Sequence, residues 1–154
     1  MKFLVVAIGH RMPAWVDAGF AEYAGRMPRE ARIELAALKA AQRGGPTKRI
    51  LDAEGGRILS TLPAGCMKVA LDERGTLVRT MELARRIARW QEAGRDVAFL
   101  IGGADGLAES VKNSADFVWS LSPLTLPHGL ARVVLAEQLY RAVSILHNHP
   151  YHRE

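Results

Sequence analysis

Five short apolar runs, separated by segments with helical periodicity, constrain the fold of this chain more than any other feature. The runs predict strands at Lys2–Ile8, Arg32–Leu38, 67–71, 96–101 and 117–121. The intervening segments predict helices beginning at Pro13 and at 46–62, 78–91 and 107–115, and a final helix repeats apolar residues from Leu130 to Leu146. Strands that are apolar along most of their length are typical of a parallel sheet with helices on both faces. The sequence therefore predicts an α/β fold with a mainly parallel sheet flanked by helices.

The size and composition of the chain favour one compact protein without covalent cross-links. Its 154 residues, 49% of them hydrophobic, suffice for one core, and no linker or repeat divides them, so we predict a single domain over 1–154. The only cysteine, Cys66, can form no intrachain disulfide, which fits a reduced cytoplasm. The first apolar run ends at Gly9, too early for a secretory signal, and no run approaches the roughly 20 residues of a membrane span. We therefore expect a cytoplasmic protein with no membrane association.

The net charge of +5 would attract a polyanion such as RNA, although many soluble proteins are as basic as this without binding nucleic acid. Two groups of basic residues could supply a positive face. The first consists of Lys39, Arg43, Lys48 and Arg49, and the second of Arg85, Arg86 and Arg89. The second group is more consistent with an ordinary solvated helix surface.

A glycine-rich turn follows the fourth predicted strand, with glycines at 102, 103 and 106. In a parallel sheet, ligands bind beyond the carboxyl ends of the strands, so this turn is a candidate site. Glycines there would let a ligand approach the backbone, but they would equally suit a tight strand-to-helix connection. The spacing is not that of a dinucleotide-binding turn, and the chain has no phosphate-binding loop of the Walker type. Hydride transfer and nucleotide hydrolysis are therefore disfavoured.

A second candidate segment follows the fifth strand and precedes the last helix. Its composition is unusual for a surface loop, because three leucines stand between or beside two prolines. Such a loop is either packed beneath other parts of the protein or lines an apolar pocket with its backbone exposed to a ligand. The segment consists of Leu121, Ser122, Pro123, Leu124, Thr125, Leu126, Pro127 and His128.

The carboxyl-terminal segment 147–154 contains three of the five histidines of the chain. No cysteine or matching carboxylate lies near them in sequence, and Pro150 would hold metal ligands loosely, so we expect no metal site. The tyrosine, histidine and arginine of this tail could instead contact unpaired RNA, since aromatic rings stack on bases and arginine binds phosphate. An unstructured terminus would show the same composition.

Several motifs considered together resemble one known family. They are Val6-x-Ile8-Gly9 with Met12-Pro13-x-Trp15, Arg43-Gly44, Ile101-Gly102-Gly103-x-x-Gly106-Leu107, Leu124-Thr125-Leu126-Pro127-His128, Arg132-Val133-x-Leu135-x-Glu137-Gln138-x-Tyr140-Arg141-Ala142 and Tyr151-His152-Arg153. The chain is similar along almost its whole length to the RlmH family, small ribosomal RNA methyltransferases of the SPOUT class. It departs from the common pattern at Ala104-Asp105, where Pro-Glu is frequent.

The resemblance implies more than periodicity can show. It implies a single-domain α/β knot, with a deep C-terminal trefoil knot that general topology rules would exclude. It implies S-adenosylmethionine as cofactor and a homodimer in which the tail of one subunit helps to complete the active site of the other. The implied acceptor is ring nitrogen 3 of a pseudouridine in 23S ribosomal RNA, within the assembled 70S ribosome.

The resemblance also assigns residues. By motif, the cofactor-binding positions are Leu71, Gly103, Leu121, Ser122, Pro123, Leu124, Thr125 and Leu126. Arg141, Tyr151 and His152 match positions that serve RNA binding and catalysis. The proton of the acceptor nitrogen could be taken by His152, His128 or water. A methyltransferase for another RNA, such as transfer RNA, and a non-catalytic ribosome-binding protein are the alternatives.

Overall fold

The computed structural model describes residues 1–152; Arg153, which is part of the last motif, lies outside this range. Strands and helices alternate along most of the chain, as the periodicity predicts. The strands are β1 (Lys2–Ile8), β2 (Arg32–Leu38), β3 (Met67–Leu77), β4 (Val97–Ile101) and β5 (Phe117–Ser120). The helices are α1 (Ala14–Arg26), α2 (Thr47–Thr61), α3 (Thr80–Glu92), α4 (Glu109–Ser114) and α5 (His128–Leu146), and a short 3-10 helix covers Arg29–Ala31.

The five strands form one sheet in the order β2-β1-β4-β3-β5, and all its neighbouring strands are parallel. The prediction of a parallel α/β fold is confirmed. Because every strand runs in the same direction, the loops after β3, β4 and β5 emerge at one edge of the sheet. These loops include both segments that the sequence singles out as candidate sites. The trefoil knot concerns how the chain threads through itself, which strand order does not determine, and it stays a prediction.

Alternation along β1 explains why helices cover both faces of the sheet. Phe3, Val5 and Ala7 belong to one buried cluster, together with residues of α1, α3 and α5. Leu4, Val6 and Ile8 belong to the opposite cluster, with residues of α2 and α4. Successive side chains of a strand point to opposite faces, so a central strand between two helical layers must be apolar throughout.

Strand β3 departs from the prediction. The sequence predicts that it ends at Leu71, whereas the structure continues it to Leu77. Leu71 and Thr76 both pair with Trp119 of β5, so four residues, 72–75, form an excursion between them. Because residues 72–75 are polar or glycine, the sequence does not indicate that the strand resumes after them. Gly75 allows the close approach to β5 that the excursion requires. A β-carbon at Gly75 would lie 2.8 Å from backbone atoms of Val118 and Trp119, where only glycine fits.

Prolines mark three of the helix starts. Pro13, Pro46 and Pro127 each immediately precede a helix and have extended backbone angles. The predicted starts at 13 and 46 are therefore one residue early. Helix α5 ends at Leu146, and Asn148 then adopts a positive φ of 55°, which agrees with the predicted stop. No helix within residues 1–152 is long and apolar enough to cross a membrane.

Candidate active site

A cleft of about 570 Å³ lies at the carboxyl edge of the sheet. Its walls come from residues 71–74 of β3, from the loops after β4 and β5, from Lys112 of α4 and from the start of α5. Seven of the eight predicted cofactor-binding residues line it; Pro123 is exposed and does not. The seven are Leu71, Gly103, Leu121, Ser122, Leu124, Thr125 and Leu126. The two segments that are separated in sequence, the glycine turn and the 121–126 loop, thus form one site.

The glycine turn is a compact backbone structure, with the amide of Gly106 donating to the carbonyl of Gly103 over 3.1 Å. A β-carbon at Gly102 would lie 2.2 Å from the carbonyl oxygen of Gly106, so position 102 admits no side chain. Gly106 has a φ of +83°, which favours glycine. The turn therefore presents bare backbone to the cleft. The interpretation as a tight connection is confirmed, and the approach of a ligand to this backbone stays a prediction.

The loop between β2 and α2 supports the glycine turn from behind. Arg43 donates to Asp105 over 2.7 Å, and the backbone amide of Ala41 donates to the buried carboxylate of Glu54 over 3.1 Å. The other carboxylate oxygen of Glu54 has no hydrogen-bond partner within residues 1–152 and would lie 3.2 Å from a β-carbon at Gly103. Position 103 is therefore enclosed by a carboxylate as well as by the sheet.

Acidic residues of the β3 excursion form one wall of the cleft. Asp72 pairs with Lys112 of α4 over 3.3 Å, and Glu73 accepts a hydrogen bond of 2.8 Å from the hydroxyl of Thr125. The latter contact joins the excursion to the 121–126 loop. Leu124, by contrast, is 71% exposed at the rim. The cleft thus combines apolar surfaces with a few charged groups, which is usual for sites that bind small molecules.

A second group of candidate residues lies farther along α5. Arg141 binds Glu137 through two nitrogen atoms, with Nη2 and Nε at 2.6 and 2.7 Å from the same carboxylate oxygen. The guanidinium also lies over the ring of Tyr151, 4.8 Å from its centre, and the Tyr151 hydroxyl donates to Glu137 over 3.3 Å. The pairing of Glu137 with Arg141, which their four-residue spacing favours, is confirmed, and the structure adds the aromatic ring.

The surroundings of Tyr151 and Arg141 shift the pKa of both side chains. Burial, and then the nearby Glu137 carboxylate, raise the pKa of Tyr151 to about 12, so its hydroxyl stays protonated at neutral pH. The hydrogen bond with Glu137 raises the pKa of Arg141, which stays charged. His152 is partly buried, and its Nδ1 has no hydrogen-bond partner among the described residues. Arg141 can therefore stabilise an anion, and Tyr151 can donate but not accept a proton.

The two groups are well separated within one chain. Arg141 is thirteen residues beyond His128, the first residue of α5, which lines the cleft. At about 1.5 Å per residue, this spacing corresponds to about 20 Å along the helix axis. None of Arg141, Tyr151 and His152 lines the cleft. The structure therefore brings seven of the cofactor-binding candidates together in the cleft, and it brings Arg141 into contact with Tyr151. Within one chain these two sets of residues do not meet.

The first basic group is largely committed to the protein itself. Lys48 pairs with Asp52 over 2.6 Å, and Arg49 donates to the backbone carbonyls of Gln42 and Gly44. In the second group, the guanidinium of Arg86 lies 3.9 Å from the centre of the Phe117 ring. Among residues 1–152, no three His, Cys, Asp or Glu side chains are placed so that they could hold a metal ion.

Sequence reasoning missed several features of the cleft. Asp72 and Glu73 carried a usable signal, because they immediately follow a predicted strand whose carboxyl end faces the site. His128, which lines the cleft, accepts a hydrogen bond of 2.9 Å at Nε2 from Arg132 Nε. This contact also had a signal, since residues four apart at the start of a helix have neighbouring side chains. Lys112 carried no signal, because nothing local to α4 indicates that it reaches β3.

The fold and the cleft together define a parallel α/β protein with a candidate ligand site at the carboxyl ends of its strands. Comparison with known proteins identifies the family. The family model described as "Predicted SPOUT methyltransferase" matches residues 1–152. A protein of Nitrosospira multiformis named "Ribosomal RNA large subunit methyltransferase H" is 57% identical over 99% of both chains. Proteins of the same name from Thioalkalivibrio sulfidiphilus and Ralstonia pickettii are 51% and 54% identical, over 100% and 99% of both chains.

This chain belongs to the SPOUT methyltransferases, and among them to the ribosomal RNA large subunit methyltransferase H family. The resemblance drawn from the motifs is therefore confirmed. Two solved structures share the fold at low sequence identity. A methylase family protein from Neisseria gonorrhoeae aligns with a TM-score of 0.55 and 14% identity over 90% of this chain and 80% of its own. Another from Haemophilus influenzae gives 0.56 and 12%, over 99% and 70%.

Proposed function

We propose that this chain transfers the methyl group of S-adenosylmethionine to ring nitrogen 3 of a pseudouridine in 23S ribosomal RNA. The observation that carries the proposal is the cleft, in which the glycine turn and the 121–126 loop meet as the family motifs require. The relatives that match along their full length are named for methylation of the large-subunit RNA. The enzyme would act as one domain, in the cytoplasm, on the assembled 70S ribosome.

The cleft suits this cofactor in both size and chemistry. Its volume of about 570 Å³ lies within the usual range for small-molecule sites. Leu71, Leu121 and Leu126 offer apolar surface for the adenine ring, and the bare backbone of the glycine turn allows close approach. Asp72 and Glu73 offer acceptors for hydroxyl or ammonium groups. When bound, the cofactor supplies a methyl group that its sulfonium already makes electrophilic, so no metal is required.

The residues of the second group would serve the acceptor. An imide nitrogen must lose its proton before it can attack, and a nearby cation stabilises the resulting anion. Arg141 fits this role, because Glu137 fixes two of its nitrogen atoms and leaves other donors of the guanidinium free. Tyr151, protonated at neutral pH, would contact the RNA rather than remove the proton. His152 or solvent would take the proton.

We also propose a homodimer in which each cleft receives Arg141, Tyr151 and His152 of the partner. The separation of about 20 Å along α5 supports this arrangement, because a single arginine side chain cannot extend that far. A second copy of the same helix can place the same residues at a different point of the first. A closed pair of this kind would have two identical composite sites.

The test of the proposed function is transfer of labelled methyl from S-adenosylmethionine to three acceptors: 70S ribosomes from a strain lacking this modification, their separated subunits, and bulk transfer RNA. We expect label in a pseudouridine of 23S RNA, and only with 70S particles. Label confined to transfer RNA would keep the enzyme class and refute the acceptor. Cofactor binding without label in any acceptor would refute the proposed reaction.

A further inference from the structure

The partly buried His128 and the buried Arg132 form a pair that links three distant parts of the chain. His128 Nδ1 lies 2.8 Å from the carbonyl oxygen of Gly102, in the glycine turn. Arg132 Nε donates to His128 Nε2 over 2.9 Å, and its Nη2 donates to the carbonyl of Gly9, after β1. Arg132 is only 1% exposed. The pair therefore links the end of β1, the glycine turn and the start of α5.

These contacts determine the protonation of His128. A guanidinium has only donors, so Nε2 of His128 must accept; a carbonyl oxygen has only acceptor sites, so Nδ1 must carry the proton. The ring is thus neutral, with its single proton on Nδ1. Burial and then the positive charge of Arg132 lower the pKa of His128, which favours the same state. Both ring nitrogens are occupied, and neither offers a lone pair to a proton in the cleft.

The environment of Arg132 is unusual for a charged side chain, because it is buried and its hydrogen bonds go to neutral groups. Within residues 1–152 its hydrogen-bond partners are two neutral acceptors, His128 and the Gly9 carbonyl, and burial lowers its pKa. Burying a charge that lacks a hydrogen-bonded counter-ion costs free energy that an apolar residue of similar size would avoid. Arg132 supplies the N–H donor to Nε2, and this contact holds the histidine in a single tautomer.

We propose that His128 and Arg132 are positioning residues that hold the Gly102 carbonyl, and with it the glycine turn, in the conformation that receives S-adenosylmethionine. His128 is accordingly not the base of the reaction, which leaves His152 or solvent for that role. This inference rests on the proposed function for its cofactor. Its structural core, the Nδ1–H tautomer, can be tested without any cofactor.

The first measurement is the tautomer itself. In ¹⁵N-histidine-labelled protein without cofactor, we expect one neutral histidine protonated at Nδ1, whose signal disappears in His128→Asn. An Nε2-protonated or charged His128 at neutral pH would overturn the proposal. This measurement does not depend on methyl transfer. The tautomer prediction can therefore fail while the proposed function holds, and the proposed function can fail while the tautomer prediction holds.

The second measurement compares two substitutions at the same position. Asparagine places its amide nitrogen near the site of Nδ1 and keeps the donor to Gly102, whereas glutamine extends toward the site of Nε2 and keeps only the contact with Arg132. We expect His128→Asn to bind S-adenosylmethionine within about threefold of wild type, and His128→Gln to bind it at least about tenfold more weakly, by titration calorimetry. Arg132→Met removes the donor that excludes the Nε2-protonated tautomer but leaves the histidine, so it should bind the cofactor more weakly than wild type and more tightly than His128→Gln.

The kinetic result separates positioning from base catalysis. At saturating cofactor, we expect His128→Asn to keep the wild-type pH profile and a single-turnover rate within about tenfold of wild type. A loss of about 10²- to 10⁴-fold with unchanged cofactor affinity, together with a lost limb of the pH profile, would identify His128 as the base and overturn the proposal. Melting curves of each variant establish that it is folded. Absence of cofactor binding by the wild-type protein would refute the proposed function instead.

Discussion

Glu137 determines how Arg141 can be used. A guanidinium has five N–H donors, and the carboxylate engages the two nitrogens Nε and Nη2 through one oxygen. The same oxygen accepts from the Tyr151 hydroxyl, which aligns the ring beside the cation. The charge of Arg141 is therefore held in place but is not fully enclosed. Such preorganised charge is the form in which a protein stabilises a developing anion most effectively.

Arg141→Ala should lower the single-turnover methylation rate by about 10²- to 10³-fold, because the anion loses its cation. The affinity for S-adenosylmethionine should stay unchanged, since in the proposed composite site Arg141 serves the acceptor nitrogen and is not one of the cofactor-binding residues. Arg141→Lys is the matched control; it keeps the charge but cannot reproduce the two-nitrogen contact, and should lose less. Full activity of the alanine variant at wild-type cofactor affinity would exclude the proposed role.

The lowered pKa of His128 makes stability depend on pH. A group whose pKa is lower in the folded protein stabilises the fold above its unfolded pKa, about 6.5 for histidine, and this contribution is lost as the pH falls. Urea unfolding should show the wild-type protein losing free energy of unfolding on acidification below about pH 6.5. His128→Asn should lose less over the same range. Parallel pH curves for the two proteins would contradict this role of His128.

At the level of elements, the sequence predicts the regular strands and helices but not the irregular excursion within β3. All five strands and five helices could be found because their apolar residues repeat at strand or helix spacing. The excursion at 72–75 could not, because Asp72, Glu73 and Arg74 read as an ordinary polar loop. Their role becomes visible only when Thr76 resumes pairing with β5. Irregular strand segments of this kind are frequent beside active sites.

The glycine turn should tolerate no side chain at position 102. In Gly102→Ala the new β-carbon would meet the Gly106 carbonyl at 2.2 Å, so the turn must open. We expect a loss of about 1 to 3 kcal/mol in the free energy of unfolding and at least tenfold weaker cofactor binding.

Gly56→Ala is the matched control for this substitution. Gly56 lies within α2, and a β-carbon at this position would have nothing within 4 Å. Alanine there should stabilise the protein by about 0.5 to 1 kcal/mol without changing cofactor binding. Equal effects of the two substitutions on cofactor affinity would refute the assignment of the turn. Thermal melting and titration calorimetry measure both quantities.

For the whole molecule, the carboxyl-end rule pointed to the glycine turn and to the loop after β5, and both line the cleft. The eight cofactor-binding residues came from the family resemblance, and seven of them line it. The distance between the cleft and Arg141 could not be foreseen from the residues alone. The loop 121–126 and Arg141 are close in sequence, but α5 lies between them, and its length places Arg141 about 20 Å from the start of the helix. Because of this separation, one complete site would require two copies of the chain.

Mixed dimers test this requirement most directly. One partner carries Arg141→Ala, with an intact cleft, and the other carries Gly102→Ala, with intact tail residues. At a cofactor concentration well below the Kd of Gly102→Ala, each alone should methylate 70S ribosomes at no more than about a tenth of the wild-type rate. After exchange of subunits, we expect about one quarter of wild-type activity, because half of the dimers are mixed and each mixed dimer has one complete site. If the tail served the cleft of its own chain, no mixed dimer would have a complete site. Mixtures that stay as inactive as their components, with subunit exchange demonstrated, would contradict the composite site.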